Sequence, residues 1–305
     1  MSARVLDGTK IAAEIRGEVA DQVKAWKHGP PPGLAVILAG NDPASEVYVR
    51  GKIKACHQVG IHSEQLLPPP TVTTEEMLAH VAALNAREDI DGILVQLPLP
   101  KQVDAARVLL AVSPAKDVDG FHPVNLGNLI TRRPGLVPCT PAGIIQMLDR
   151  SGIEIAGKEA VVVGRSDIVG KPVALLLLQR DATVTICHSR TPELAKVCQR
   201  ADLLIAAVGR PAMLDERHIR RGAVVIDVGV NRLTDGLAVE RYFPGNATRK
   251  AEFDSRGSTL IGDVDPRAAC AVASAFSPVP GGVGPLTIAM LMANTLAAAT
   301  ARRRR

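Results

Sequence analysis

Short apolar runs alternate along the chain with segments whose apolar residues recur at the spacing of a helix. In the first 120 residues this pattern predicts strands at 34–39 and 93–97, and helices at 45–59 and 103–112. Another helix is predicted to begin after Thr73, because Glu76 completes a capping box with it. Strands that alternate with helices in this way indicate a parallel sheet covered by helices.

A second series of the same kind begins near residue 140. Thr140 and Pro141 suit the N-cap and first position of a helix that runs through Leu148. Further elements are then predicted, with strands at 160–163, 183–187, 203–208 and 224–228, and helices at 172–179, 192–199 and 286–299. The polar segment 233–259 has no assignment. The predicted fold class is therefore α/β, with two α/β domains on parallel sheets, the second of them Rossmann-like, and a boundary between Pro114 and Thr140.

The composition is typical of a globular protein with an aliphatic core. Hydrophobic residues make up 47% and charged residues 22%, whereas aromatic residues make up only 2%. A nucleic-acid-binding protein that stacks bases on aromatic side chains is therefore not expected. Four of the charges behind the formal net charge of +5 belong to the arginines of the tail 302–305, for which a solvated terminus is expected.

The cysteines and the N-terminus determine the expected location. The five cysteines are scattered without a CxxC pair, which argues against disulfides and against a metal site. We recognise no signal peptide and no stretch of about 20 apolar residues that could cross a membrane. The expected location is the cytoplasm, without a membrane or a nucleic acid as partner.

The strongest local signal is the segment 161–170, a buried strand followed by a glycine-bearing turn and a helix. Such a turn allows backbone N–H groups and the positive end of a helix to meet a phosphate. The segment departs from the GxGxxG pattern at two positions after Gly164. Ser166 stands where the pattern has its second glycine, and Gly170 comes one position later than the third. It is not a P-loop, because Pro172 stands where that motif needs Ser or Thr. An ordinary strand-to-helix turn is the alternative to dinucleotide binding.

The end of the next predicted strand favours NADP over NAD. NAD sites usually place a carboxylate there to hold the ribose hydroxyls. Here Cys187 is followed by His188, Ser189 and Arg190, with no acidic residue. Arg165, Ser189 and Arg190 could cradle the 2′-phosphate of NADP, although Arg190 taken alone could be an ordinary surface residue.

Polar side chains in the first domain are candidates for chemistry. Tyr48 and Lys52 are four residues apart and share one face of the predicted helix, although a tyrosine at the core edge with a solvated lysine is the alternative. Gln96 ends an apolar strand and needs a hydrogen-bond partner, for which a lysine ammonium is suited. Asp117 and Asp119 point apart in an extended segment, so that one could take a ligand while the other makes a salt bridge.

The loop 279–285 is unusually rich in residues that constrain or free the backbone. It contains three glycines and two prolines. Either it forms only a tight turn, or it lets the backbone approach a flat ligand.

Eight stretches together resemble the bifunctional methylenetetrahydrofolate dehydrogenase/methenyltetrahydrofolate cyclohydrolase family. They lie at residues 42–52, 91–100, 116–121, 138–141, 164–172, 227–232, 262–264 and 278–285, in order over nearly the whole chain. The segment 233–259 looks longer than the family pattern, and the arginine tail lies outside it.

The resemblance implies two reactions in a cleft between two domains. NADP would accept a hydride from 5,10-methylenetetrahydrofolate, and water would then convert the methenyl cation into 10-formyltetrahydrofolate. It also implies a cytoplasmic homodimer in one-carbon metabolism that feeds purine biosynthesis. The implied folate-binding catalytic domain comprises residues 1–120 and 277–305, and the implied NADP-binding domain comprises residues 121–276.

The resemblance also implies roles for individual residues. Lys52 would be the acid/base group, and Gln96 would hydrogen-bond and tune it. Tyr48 would lie against the folate and help to hold the lysine. Asp119 would bind the pterin ring, while Pro280, Gly281 and Gly282 would border the folate. The positions that match cofactor contacts are Gly164, Arg165, Ser166, Ser189 and Val230. A neutral lysine should be favoured beside a cationic methenyl group, and a neutral amine can act as a base towards water.

Two other functions are compatible with parts of the sequence. A monofunctional dehydrogenase or cyclohydrolase could use the same scaffold, but residues for both steps are present. A dinucleotide-sensing protein whose arginine tail recruits nucleic acid would not need Tyr48, Lys52 and Gln96.

Overall fold

In the computed structural model, which describes residues 3–303, the chain forms two compact units. The six-stranded unit contains the chain up to Ile11 together with Thr140–Leu286. The three-stranded unit contains Ala12–Cys139 together with the chain from Thr287 onward. In both units the main sheet is entirely parallel, which confirms the predicted fold class.

The strands, in chain order, are β1 (Arg4–Val5), β2 (Gly33–Ile37), β3 (His62–Leu66), β4 (Gly92–Val95), β5 (Glu159–Val163), β6 (Thr183–Cys187), β7 (Leu203–Ala206), β8 (Val224–Asp227), β9 (Asn231–Leu233), β10 (Thr259–Ile261) and β11 (Ala275–Phe276). The helices are α1 (Gly8–Lys24), α2 (Pro43–Val59), α3 (Thr74–Ala86), α4 (Ala105–Ala111), α5 (Pro123–Ile130), α6 (Cys139–Arg150), α7 (Gly170–Gln179), α8 (Leu194–Cys198), α9 (Gly236–Tyr242), α10 (Ala247–Arg256), α11 (Pro266–Val272) and α12 (Val283–Arg303).

The six-stranded unit is Rossmann-like. Its strand order is β1-β11-β8-β7-β5-β6, so that β5 pairs with β6 on one side and with β7 on the other. The direction of winding therefore reverses at β5, and open α/β sheets bind ligands beyond the carboxyl ends of strands at such a point. The core beneath it is aliphatic and includes Val161, Val163 and Leu204, as the low aromatic content predicted.

The three-stranded unit has β2 at the centre of the order β3-β2-β4. Leu34 and Val36 pack into one hydrophobic cluster, whereas Ala35 and Ile37 pack into another on the opposite face. Alternate residues of a strand point to opposite faces, so β2 is apolar throughout because helices cover both sides.

Strands and helices with an apolar pattern form close to their predicted bounds. The capping box of Thr73 and Glu76 is present at the start of α3. Strand β3 has no prediction, because its sequence His62–Leu66 is mostly polar and it lies at a sheet edge. The predicted cap at Thr140 is wrong, because α6 already begins at Cys139.

The unassigned segment 233–259 is folded. Strands β9 and β10 pair antiparallel, with Leu233 opposite Thr259, and α9 and α10 lie between them in sequence. Leu233, Val239 and Ile261 form a small core of their own, against which Phe243 and Phe253 pack.

The compact units differ from the predicted domain boundaries at three places. Residues up to Ile11 lie with the six-stranded unit, because β1 pairs with β11. Residues 277–286 lie there too, since they continue from β11. Residues 121–139 lie with the three-stranded unit, where Asn125 of α5 donates to Asp117.

Two arginines of the tail are not a solvated terminus, which corrects the prediction. Arg302 and Arg303 end α12 and form ion pairs with Asp91 at 2.6 and 2.5 Å. Asp91 is fully buried, and a buried carboxylate needs such partners. The other two residues of the tail, Arg304 and Arg305, lie outside the described residues.

Helix α12 corrects the expectation that no stretch is long and apolar enough to cross a membrane. Within the described chain, it is the one helix that passes this test by length and composition. However, 56% of the apolar stretch of this helix is buried inside the protein. Leu291 and Met292 lie in the hydrophobic core of the three-stranded unit. Core helices of globular proteins commonly have this composition.

Candidate functional site

Helix α2 places Tyr48 and Lys52 one turn apart. Asp42 caps its N-terminus by accepting a hydrogen bond from the backbone N–H of Ser45 at 2.8 Å, and Gly60 ends it in a left-handed conformation. The burial of the two side chains is opposite to that expected for a tyrosine at the core edge with a solvated lysine. Lys52 is only 9% exposed, whereas Tyr48 is 46% exposed.

Lys52 has a defined hydrogen-bond partner. Its Nζ donates to Gln96 Oε1 at 3.0 Å, which confirms the predicted pairing of a lysine with Gln96. The amide of Gln96 is itself oriented, because its Nε2 donates to the carbonyl oxygen of Leu97 at 2.7 Å. The Lys52 amine is therefore held at the carboxyl end of β4 by a side chain that cannot turn freely.

The carboxyl of Asp119 is affected both by burial and by the charge of Lys52. Burial raises the pKa of its carboxyl to about 6, even though the charge of Lys52 acts in the opposite direction. Part of the side chain remains accessible, and within residues 3–303 no group donates a hydrogen bond to it. Asp119 is therefore an acceptor available to a ligand.

Asp117 has a structural role instead. Its carboxylate accepts hydrogen bonds from the backbone N–H of His122 at 2.8 Å and from Asn125 Nδ2 at 2.9 Å. A salt bridge was expected at one of the two aspartates. Asp117 instead has neutral N–H donors as its partners. A buried carboxylate that receives several N–H donors needs no cation.

Asn294 supports this region and has no counterpart in the sequence predictions. From α12 its Nδ2 donates to the carbonyl oxygens of Val118 and Val137, both at 2.8 Å. These carbonyls flank Asp119 and the start of α6. The signal that could have indicated it is a buried amide within an otherwise apolar helix, which needs partners of its own.

Cys139 lies in the same region but is not a nucleophile. Its Sγ donates to the Val118 carbonyl at 3.2 Å, and burial raises the pKa of the thiol well above its usual value. Reactive cysteines instead have lowered pKa values and accessible thiolates.

In the six-stranded unit, the turn after β5 is sterically restricted to glycine. Gly164 has a φ of +132°, and a Cβ there would lie 2.1 Å from the carbonyl oxygen of Ala207. A Cβ on Gly170 would lie 2.3 Å from the carbonyl oxygen of Gly164. The two glycines thus allow the turn, β7 and the start of α7 to approach closely.

Ser166 closes this turn. Its Oγ accepts hydrogen bonds from the backbone N–H groups of Val169 and Gly170, both at 3.2 Å. The departure from GxGxxG therefore places a hydroxyl at the beginning of α7. Arg165 beside it is exposed, and no other side chain in the described part of the chain pairs with its guanidinium.

The end of β6 lies next to this turn. Val163 is paired with Cys187, and the N–H of Gly164 donates to the Cys187 carbonyl at 2.9 Å. Ser189 and Arg190, two and three residues beyond Cys187, are both exposed. The structure thus brings the three predicted phosphate contacts to neighbouring strand ends of one sheet.

Two buried aspartates bind the backbone beyond the ends of β7 and β8. Neither of them is identified as a site residue from the sequence. Asp263 accepts from the backbone N–H groups of Val208, Gly209 and Arg210 at 2.6–2.9 Å. Asp227 accepts from Gly229, from Asp263 and from the residue after it. Burial raises the pKa of Asp227 to about 7 despite these donors.

Glycines complete this pair of aspartates. A Cβ on Gly229 would lie 2.2 Å from Asp263 Oδ1, and a Cβ on Gly262 would lie 1.8 Å from Asp227 Oδ2. This reciprocal packing explains why aspartate and glycine recur together at 227–229 and 262–263. Val230 follows directly and is 48% exposed, at the position predicted to contact the cofactor.

The loop that contains Pro280, Gly281 and Gly282 belongs to the six-stranded unit. The backbone N–H of Thr9 donates to the carbonyl oxygen of Gly281 at 3.1 Å, and Gly281 has a φ of +97°. A Cβ on Gly8 would lie 1.8 Å from the carbonyl oxygen of Gly282, so α1 begins directly against this loop. The loop is a fixed turn in which Pro280 is exposed, Gly281 is half-buried and Gly282 is buried.

The strand ends of the six-stranded unit fit a dinucleotide with a 2′-phosphate. The glycine turn lets the backbone between β5 and α7 lie close to the end of β7, and the neighbouring strand end offers Ser189 and Arg190 where an NAD site would have an acid. Within residues 3–303 no group of three or more His, Cys, Asp or Glu side chains could hold a metal ion.

Two domain families match the chain. The catalytic domain of the tetrahydrofolate dehydrogenase/cyclohydrolase family matches residues 6–119. The NAD(P)-binding domain of the same family matches residues 138–303.

Similar proteins extend over the whole chain. The "Bifunctional protein FolD" of Koribacter versatilis is 61% identical over 99% of both chains, and that of Solibacter usitatus is 60% identical over 98% of both. Among solved structures, the bifunctional FolD enzyme of Campylobacter jejuni has a TM-score of 0.89 at 39% identity and covers 98% of this chain and 99% of its own. The FolD enzyme of Trypanosoma brucei, complexed with NADP and an inhibitor, has a TM-score of 0.89 at 38% identity, with 100% of both chains covered.

Proposed function

The chain belongs to the tetrahydrofolate dehydrogenase/cyclohydrolase family, and on that premise we propose that it catalyses two successive reactions on one folate. It oxidises 5,10-methylenetetrahydrofolate to the 5,10-methenyl cation with NADP+. It then hydrolyses the methenyl cation to 10-formyltetrahydrofolate.

The observation that carries this proposal is the buried amine of Lys52. It is 9% exposed, and its Nζ lies 3.0 Å from Gln96 Oε1. A lysine in this environment is an acid/base group rather than a surface charge, because surface lysines keep their ammonium groups in water. Gln96 fixes the direction from which the amine can reach a substrate.

In the hydrolysis step, a water oxygen bonds to the methenyl carbon while Lys52 Nζ takes one of its protons. The hydroxyl proton of this adduct then passes to N5 as the bond from the carbon to N5 breaks, and the formyl group stays on N10. The proton on Lys52 is released to solvent. The Gln96 carbonyl oxygen accepts from Nζ throughout and keeps the amine oriented. When bound, NADP+ supplies the hydride acceptor for the preceding oxidation.

The folate itself would be held by further residues that the resemblance assigns to it. Asp119 would accept hydrogen bonds from the adjacent N–H donors of the pterin, since no group of the described chain uses its carboxylate. Tyr48, half exposed and one turn before Lys52, would lay its ring against the folate. Pro280, Gly281 and Gly282 would border the folate, with Pro280 as the exposed residue of their turn.

NADP would be bound by the strand ends of the six-stranded unit. Gly164 and Ser166 would bring the start of α7 close to the phosphates, and Arg165, Ser189 and Arg190 would meet the 2′-phosphate. Exposed Val230 would provide an apolar contact for the cofactor.

We also propose a metabolic role, a cellular location and an oligomeric state. The product would serve one-carbon metabolism as a formyl donor, including purine biosynthesis, in the cytoplasm. The exposed edge strand β6 of the parallel sheet is the surface through which we propose that the protein forms a homodimer.

A spectrophotometric assay of the purified protein tests the proposed function. With methylenetetrahydrofolate and NADP+, we expect reduced cofactor to form and 10-formyltetrahydrofolate to accumulate. With methenyltetrahydrofolate alone, we expect hydrolysis without any cofactor. Absence of the first activity would leave only a cyclohydrolase, absence of the second only a dehydrogenase, and absence of both would refute the proposal.

A further inference from the structure

The segment 233–259, which looks longer than the family pattern, provides an arginine to the loop at 278–282. Arg249, on α10, donates through Nη2 to the carbonyl oxygen of Val279. Val279 lies 30 residues further along the chain and directly precedes Pro280. The contact therefore connects the extra segment to this loop.

Arg249 is held in one position by several partners. Its side chain is 12% exposed, and its Nη1 lies 3.3 Å from both Glu252 Oε2 and Thr259 Oγ1. Its guanidinium lies 4.8 Å from the centre of the Phe243 ring, within the range of a cation–π contact. Thr259 Oγ1 also donates to Glu252 Oε2 at 2.8 Å, and this bond, together with the Arg249 charge, lowers the pKa of Glu252.

The arrangement suits a rigid donor better than a simple surface ion pair. A guanidinium has five N–H donors in a fixed plane, so that fixing some of them also fixes the direction of the others. With Nη1 engaged by Glu252 and Thr259, Nη2 is directed at the Val279 carbonyl.

Packing alone does not hold Val279 in place. It lines a cavity of about 170 Å³ whose other walls include Phe243, Arg249 and Phe276. Protein interiors contain few voids larger than a water molecule, so the packing around Val279 is incomplete on this side. Arg249 lines the same cavity and donates to the Val279 carbonyl.

The loop has one further anchor on its other side. The backbone N–H of Thr9 donates to the Gly281 carbonyl at 3.1 Å. Between the two anchors lie Pro280 and a glycine at φ +97°, and glycine alone gives a backbone little stiffness. The two carbonyl contacts, together with the close approach of Gly8 to Gly282, therefore set the position of the loop.

We propose that Arg249 is a positioning residue for the folate: it holds the Val279 carbonyl and thereby fixes the loop of Pro280, Gly281 and Gly282. This inference rests on the proposed function, in which that loop borders the folate. Both reactions use the same bound folate, so Arg249 supports both. NADP would be bound by other strand ends of the same unit and does not depend on it.

The test compares Arg249→Gln with the matched exposed control Arg256→Gln on the same helix. We expect Arg249→Gln to raise KM for both folate substrates about 5- to 20-fold, because a displaced binding loop weakens substrate positioning, with kcat reduced less than about twofold. Kd for NADP should be unchanged. Arg249→Lys should restore part of the loss, since an ammonium can still donate to Val279, and Arg256→Gln should match the wild type.

A second variant covers the case in which Arg249→Gln does not fold. Glu252→Gln leaves the arginine in place but removes its ionic partner, and we expect a smaller rise in folate KM in the same direction. Thermal unfolding of each variant shows whether it is folded before kinetics are measured.

The failures of the two proposals are distinguishable. A wild-type protein without either folate activity would refute the proposed function. An active wild type with unchanged folate KM in folded Arg249→Gln, or with NADP affinity lowered as much as folate affinity, would refute the role of Arg249 alone.

Discussion

Lys52 and Asp119 provide an amine and a carboxyl group in the same unit, and the surroundings of the two groups differ. Lys52 is buried and bound to Gln96, whereas no group of the described chain donates a hydrogen bond to the carboxylate of Asp119, which is only partly buried. The amine is therefore positioned by the protein, and the carboxylate is left for the substrate. Such a division separates the acid/base group from the binding group.

Asp119 predicts a pH dependence of folate binding. Burial raises the pKa of its carboxyl to about 6, so the carboxylate is ionised above that pH and becomes protonated as the pH falls through it. A protonated carboxyl loses an acceptor site for the pterin donors. We expect KM for methylenetetrahydrofolate to rise as the pH falls below about 6, measured from pH 5 to 8.

Asp119→Asn provides the control for this prediction. It should have a raised folate KM at every pH and lack the step near pH 6, while Kd for NADP stays normal. The same step in Asp119→Asn would assign the titration to another group, and loss of NADP binding would indicate misfolding.

Individual residues differ in how well their partners can be predicted from the neighbouring sequence. The pairing of Gln96 with a lysine could be predicted, because a polar residue at the end of an apolar strand needs a partner. Asp263 could not, because its donors at 208–210 lie more than 50 residues away in sequence and only the fold brings them together. Arg302 and Arg303 were misjudged for the same reason, since Asp91 is distant in sequence.

Among the elements, the turn between β5 and α7 depends most strictly on residue type. Gly164 combines a positive φ with contact to the Ala207 carbonyl, so any side chain would push the turn away from β7. The hydroxyl of Ser166 then completes the start of α7. The turn is thus specific in shape although its sequence departs from the common fingerprint.

Gly164→Ala tests this turn. We expect Kd for NADP to rise about tenfold or more, because the backbone that approaches the phosphates is displaced. Hydrolysis of methenyltetrahydrofolate, which needs no cofactor, should be retained. Gly222→Ala is the matched control, because it has a φ of +86° but nothing within 4 Å of an added Cβ. Equal NADP affinity in Gly164→Ala and the control would contradict this account.

Elements with a strong apolar period were predictable, and the others were not. Strands β5, β7 and β8 are buried and aliphatic, so their pattern is clear. Edge strand β6 is partly exposed but rich in β-branched residues, and it has the predicted bounds, Thr183–Cys187. Edge strand β3 is polar, and the two-residue strands β1 and β11 are too short to show a period. The segment 233–259 carries its apolar residues on short elements that form a core only together.

For the whole molecule, the open edge of the six-stranded sheet is the feature that points beyond one chain. Strand β6 lies at the edge, and Ile186 on it is 42% exposed. Unpaired strand edges with apolar side chains readily bind another chain. This is the physical basis of the proposed homodimer.

Ile186→Lys tests the dimer. We expect the wild type to elute at twice the chain mass in size-exclusion chromatography with light scattering, and Ile186→Lys to shift towards the monomer, because a buried unpaired charge opposes association. Leu237→Lys is the control, since Leu237 is 83% exposed on α9 and away from this edge. A monomeric wild type, or an unaltered dimer in Ile186→Lys, would contradict the proposed interface.

The most direct test of the central claim is the rate of methenyltetrahydrofolate hydrolysis by Lys52→Met. Loss of the acid/base amine should lower this rate about 100-fold or more, whereas exposed Lys54→Met on the same helix should retain the wild-type rate. Kd for NADP should be equal in both variants. Near wild-type hydrolysis by folded Lys52→Met would show that the buried amine is not the base.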